Sequence, residues 1–78
     1  MNEVRFTNMD QVQKFVDDIR KIPYDVNACH GKYIVDAKSL LGLLSLSLGR
    51  PIQLEVVCND DNLSIANELL TSICEDYK

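Results

Sequence analysis

A chain of 78 residues makes one domain around one core, and 46% hydrophobic with 26% charged residues is a globular composition, not a disordered one. Its 12 acidic and 8 basic residues give a net charge of −4. The cations (Arg5, Lys14, Arg20, Lys21, Lys32, Lys38, Arg50, Lys78) are scattered along the chain, which argues against a nucleic-acid partner.

The cysteines, Cys29, Cys58 and Cys74, are odd in number and far apart, so they fit neither a disulfide framework nor a zinc site and read as reduced thiols. Met1–Thr7 has no charged segment followed by an apolar run, so no signal peptide is expected. The longest apolar stretch, Leu40–Leu48, is too short for a bilayer. The expectation is a soluble cytoplasmic protein with no membrane insertion.

In chain order, Val4 and Phe6 alternate with Arg5 and Thr7 as a short half-buried strand. Met9, Val12, Phe15, Val16, Ile19 and Ile22 then recur at helical spacing. Thr7 or Asn8 is placed to cap that helix, Asp10 adds negative charge near its positive end, and Pro23 stops it. Tyr24, Val26 and Ala28, then Tyr33, Val35 and Ala37, form two alternating runs around His30-Gly31, which predicts a β-hairpin. Ser39 stands at an N-cap before a short helix over Leu40–Leu48, closed by Gly49 and ended by Pro51. Ile52, Leu54, Val56 and Cys58 mark the inward side of a fourth strand. Asn59-Asp60-Asp61-Asn62 turns the chain into a last helix with a stripe of Leu63, Ala66, Leu69, Leu70, Ile73 and Tyr77. The order β-α-β-β-α-β-α, with one apolar side per element and no linker or repeat, predicts a single two-layer α+β domain over residues 1–78. The outer sheet face, with Arg5, Asp25, Asn27, Asp36, Gln53 and Glu55, is expected to meet solvent.

Gly31-Lys32 followed by Asp36-Ala37-Lys38-Ser39-Leu40-Leu41-Gly42-Leu43-Leu44-Ser45-Leu46 resembles the middle of HPr, the phosphocarrier of the sugar phosphotransferase system. There a hairpin ending in Gly-Lys leads through a strand and Lys-Ser into a short helix of the pattern S-[IL]-M-G-[VL]-M-S-L. The element order agrees over the whole chain, and the middle third agrees residue by residue. The resemblance implies an open-faced β-sandwich: an antiparallel four-stranded sheet in the order 1-4-2-3 with three helices on one face.

The departure from the pattern carries equal weight. HPr has H-[TA]-R-P-A between its first strand and first helix, where histidine takes phosphate from phosphoenolpyruvate through enzyme I and arginine holds it. Here that place holds Thr7-Asn8-Met9-Asp10-Gln11-Val12. An imidazole is a good nucleophile near pH 7 and a helix N-terminus steadies the phosphate it receives. Nothing in positions 7 to 12 replaces it, and Asp10 has no neighbouring cation in sequence. His30, the sole histidine, reads as a turn residue before Gly31 and not as a displaced acceptor.

Ser39 matches the serine that a dedicated kinase phosphorylates in Gram-positive relatives, and it also reads as a plain N-cap. A phosphate there adds about −1.5 to −2 charge at a helix N-terminus. Leu40, Leu41, Leu43, Leu44, Leu46 and Leu48 are too many for one buried face of a short helix, so part of them is expected to form an exposed docking patch. Leu40 and Leu44, one turn apart, are the expected exposed pair, with Leu41 and Lys38 beside them.

No catalytic constellation, metal site or cofactor motif appears, so no enzyme is expected. The expected function is a regulatory or protein-interaction module of the HPr family, working through its second helix and Ser39. Its partners would be phosphotransferase-system components, a serine kinase or a regulator. Two alternatives stand: an active phosphocarrier in phosphoenolpyruvate-dependent sugar uptake with an unorthodox acceptor, and a structural module that homodimerises through exposed leucines.

Overall fold

The protein is described by a computed structural model covering residues 2–46 and 49–77. Its elements are β1 (Asn2–Val4), α1 (Met9–Ile19), β2 (Asp25–His30), β3 (Tyr33–Asp36), α2 (Leu40–Ser45), β4 (Ile52–Val57) and α3 (Asp60–Cys74), the last continuing as a 3₁₀ turn over Glu75–Tyr77. The strands form one antiparallel sheet in the order β1-β4-β2-β3.

Alternation sets the two faces of the sheet, because successive side chains point to opposite sides. Val26 and Ala28 on β2 and Ile52, Leu54 and Val56 on β4 are buried and join one core with residues from all three helices. Across the outer face Asn27 pairs with Glu55, Cys29 with Gln53, and Glu3 with Gln53, whose carboxamide donates to the Glu3 carboxylate at 2.7 Å. β2 and β3 join through Gly31-Lys32, where Gly31 has φ +60°. A positive φ at the first central residue alone is the signature of a type II′ turn, whose twist matches that of paired strands.

The helices depart from their expected stripes at the margins. α1 buries Val12, Phe15, Val16 and Ile19, as its periodicity requires, but Met9 is exposed. Met9 is the first helical residue, and helical side chains lean toward the N-terminus, so it projects past the end of the core. α1 stops at Ile19, and Lys21 and Ile22 close 3₁₀-type bonds onto the carbonyls of Asp18 and Ile19 ahead of Pro23. α2 is shorter than the expected Leu40–Leu48. At Leu46 the backbone turns extended, its N–H bonds to the Leu43 carbonyl, and its side chain drops into the core. Ser47 and Leu48 lie outside the described residues.

α3 buries Ala66, Leu70 and Cys74, spaced four apart, together with Tyr77 beyond them. Small Ala66 and Cys74 let the helix approach closely. Leu69 falls on the flank and stays 43% exposed, Leu63 in the first turn is also exposed, and Ile73 is half-buried. Tyr33, in phase with Val35 and Ala37, is nonetheless 71% exposed at the start of β3, the edge strand.

Candidate functional site

The end of the sheet that feeds α1 is built by three chain segments. Val4 on β1 pairs with Ile52 at the start of β4, and Cys29 near the end of β2 pairs with Gln53, so the β1–α1 loop, the β2–β3 turn and the segment before β4 share one end of the molecule. The Gly49 N–H donates to the Phe6 carbonyl at 2.7 Å and ties the segment after α2 to the entrance of α1. Beneath that entrance the rings of Phe6, Phe15 and Tyr77 pack with centroids 5.0 to 5.6 Å apart.

α1 begins with a closed cap. Asn8, in extended backbone, accepts the Gln11 N–H on its side-chain oxygen at 2.9 Å. Gln11 reaches back and accepts the Thr7 N–H at 2.8 Å and the Thr7 hydroxyl at 3.1 Å. This is a capping box whose return bond falls one residue before the N-cap. The Gln11 N–H, one of the helix-start donors, is thereby taken up by the side chain of the N-cap.

At α2 the Ser39 hydroxyl accepts the Gly42 N–H at 3.1 Å, and the Ser39 N–H donates to the Asp36 carbonyl. Gly42 sits close under this cap: a Cβ added there would lie 3.3 Å from the Asp36 carbonyl oxygen and from the Ser39 side chain. The distribution of leucines corrects the expected patch. Leu40 and Leu44 are half-buried against the core on the same side as buried Leu43, whereas Leu41, on the opposite side, is 81% exposed. Residues at i, i+3 and i+4 share one helix face, so the pair expected outside is drawn in and its neighbour is left out.

The Lys38 side chain is also committed inward. Its ammonium donates to the Ile22 carbonyl at 2.6 Å, its N–H donates to the Asp36 carboxylate at 2.9 Å, and its carbonyl accepts Arg20 Nε at 3.3 Å. Lys38 therefore fastens the exit of α1 to the entrance of α2. His30 is half-buried, with Nδ1 3.0 Å from the Pro51 carbonyl oxygen. A carbonyl only accepts, so Nδ1 carries the proton. Cys29 and Cys58 are half-buried and Cys74 lies in the core. No helix among the described residues is long and apolar enough to cross a membrane.

No family model and no curated protein matches the sequence. Solved structures do. The phosphocarrier protein HPr from Bacillus anthracis is 19% identical and superimposes with a TM-score of 0.73, covering 97% of this chain and 93% of its own. HPr-C-His from Thermoanaerobacter tengcongensis is 22% identical with a TM-score of 0.70 and the same coverages. The chain has the HPr fold. Crh, the catabolite repression protein of Bacillus subtilis, described as a swapped dimer, is also similar: 21% identity, a TM-score of 0.70, and coverage of 96% of this chain and 86% of its own.

In this HPr fold two features of the site carry sequence signatures of their own. The Asn8-x-x-Gln11 spacing is itself a capping-box signature. His30 also continues the inward phase of Val26 and Ala28, which sets it on the helical side of the sheet and not free at a turn.

Proposed function

We propose that this protein is a member of the HPr family that does not carry phosphohistidine and acts as a regulatory, protein-interaction module. The observation that carries this reading is the closed start of α1. Where the family pattern has a histidine and an arginine, Asn8 and Gln11 each commit their side-chain oxygen to backbone or hydroxyl groups of the same turn. A carboxamide is no nucleophile for phosphoryl transfer near neutral pH. The second helix keeps Ser39 at its N-cap and presents Leu41 with the outer edges of Leu40 and Leu44. This is the surface through which phosphotransferase-system components, a serine kinase or a regulator would dock.

The test uses labelled phosphoenolpyruvate with purified enzyme I, alongside an authentic HPr as positive control. The expected result is label on the control and none on this chain. Acid-labile label that is lost in a His30→Gln variant would return the protein to the carriers. A homodimer is the second reading, favoured by the swapped dimer described for Crh. Light scattering coupled to size exclusion decides it, a mass near twice 8.8 kDa being the dimer's signature.

A further inference from the structure

A cleft of about 330 Å³ lies between the β2–β3 turn, the C-terminal end of α2 and Arg50. It is lined by His30, Lys32, Tyr33, Ser45, Leu46 and Arg50, so residues distant in sequence converge on it. Its chemistry runs against that of the whole molecule. The chain carries 12 acidic residues and a net charge of −4, yet none of those acids lines the cleft, while two permanent cations and the single histidine do. Among the described residues neither Lys32 nor Arg50 has a carboxylate within ion-pair distance.

We propose that this cleft binds a phosphate monoester of small size, with Lys32 and Arg50 taking the phosphate oxygens. Lysine supplies a compact ammonium, and arginine supplies a planar fork whose N–H groups match two phosphate oxygens at once. The imidazole is pre-oriented for a part in this. With Nδ1–H held on the Pro51 carbonyl, Nε2 has no partner among the described residues and is free to accept the acidic O–H of a phosphate monoanion. The Ser45 hydroxyl donates to the Gly42 carbonyl, so it bounds the cleft and leaves the anion to the cations. The exposed ring of Tyr33, with the small uncovered margin of Leu46, adds apolar surface to the lining, which suits the carbon portion of an ester. Nothing covalent is required. The site is separate from Leu41 and Ser39, and the docking reading stands or falls without it.

The experiment is an amide chemical-shift titration of the whole protein at low ionic strength, with inorganic phosphate, glycerol 3-phosphate and glycerol as the three arms. Saturable shifts centred on His30–Tyr33 and on Gly49 and Arg50 are expected with both phosphates and none with glycerol. Tighter binding of glycerol 3-phosphate assigns the site to the ester. Equal binding keeps the phosphate site but assigns it to the free ion, which overturns the role given to Tyr33 and Leu46. Lys32→Gln and Arg50→Gln, both at exposed positions, are each expected to weaken binding about threefold to tenfold, the loss of one charge-assisted contact at a partly solvated site. Unsaturable shifts spread over Arg5, Lys14 and the other surface cations, or a double variant that binds as the parent does, would remove the proposal.

Discussion

The side-chain oxygen of Gln11 accepts both the backbone N–H of Thr7, at 2.8 Å, and its hydroxyl, at 3.1 Å. With the reciprocal bond from Gln11 N–H to Asn8, a single turn of chain is closed on itself at the place where the HPr pattern has its acceptor. These bonds clasp the first turn of α1. The clasp directly follows Phe6 in the chain, whose ring packs with Phe15 and Tyr77 in the core.

Asn8→Ala is therefore expected to cost about 1 kcal/mol, the usual loss for an N-cap side chain. In a domain of this size that lowers the melting temperature by about 4–8 °C. Gln11→Ala, which removes the return bond from an exposed site, is expected to lose less. Calorimetric scans of both variants check the order. A parent-like melt for Asn8→Ala would mean the cap contributes nothing to stability.

The corrected line of α3 gives a graded series. Leu70 has no exposed surface and Leu70→Ala is expected to cost about 2–5 kcal/mol through lost burial and a residual cavity. Ile73 is half-buried, and its truncation is expected to cost clearly less. Leu69→Ala, on the flank, is expected to stay within about 1 kcal/mol. Urea titrations with a common slope measure the three. Equal losses at Leu69 and Leu70 would restore the broader stripe that the periodicity suggests.

That series shows where sequence reading stops. Element order, hairpin and buried faces of the strands follow from alternation and from breakers such as Gly31, Pro23 and Pro51, which act locally. Which leucines of an apolar-rich helix are covered depends on the width of the surface opposite it, a tertiary quantity. So Leu40 and Leu44 turn inward, Leu41 outward, and Leu63 and Leu69 remain at the rim. Lys38 is another such case, since its partner at Ile22 is 16 residues away and reached only after folding. The cleft at His30 needs the return of the chain at Arg50 and Pro51, which no local pattern announces.

Tyr77 supplies a prediction in pH. Its ring closes the aromatic cluster while its buried hydroxyl meets no partner at full hydrogen-bond geometry, although the Asp18 carboxylate is near enough to favour its protonated form. Burial first, then the negative charges of Asp18 and Asp76, raise its ionisation above the ordinary value of 10.0. The folded state thus holds this proton more tightly than the unfolded chain. Its contribution is fully present below pH 10 and is lost as pH rises through the raised folded-state value. Tyr77→Phe keeps the ring, removes the unpartnered hydroxyl, and is expected to leave stability at pH 7 unchanged or slightly higher while flattening the alkaline decline. Denaturant midpoints from pH 7 to 11 test this, and a steep alkaline limb retained by the phenylalanine variant would assign the decline to other groups.

The docking surface makes its own demand on Leu41. An 81% exposed leucine adds little to the core, so Leu41→Lys is expected to shift stability by under about 0.5 kcal/mol. If the outer side of α2 is the contact, the same change places an unpaired ammonium in an apolar interface and is expected to weaken binding at least tenfold. Leu44→Lys is the contrast: half-buried against the core, it is expected to destabilise the fold itself. Ser39→Asp keeps an N-cap acceptor for Gly42 N–H while adding negative charge beside Leu41, and is expected to change affinity with the melt preserved. Calorimetric titration against purified enzyme I and against an HPr serine kinase, with thermal melts in parallel, reads both quantities. Loss of binding in Leu41→Lys with an unchanged melt places the contact on α2. Full binding by that folded variant would move the contact elsewhere, and with it the function proposed for this helix.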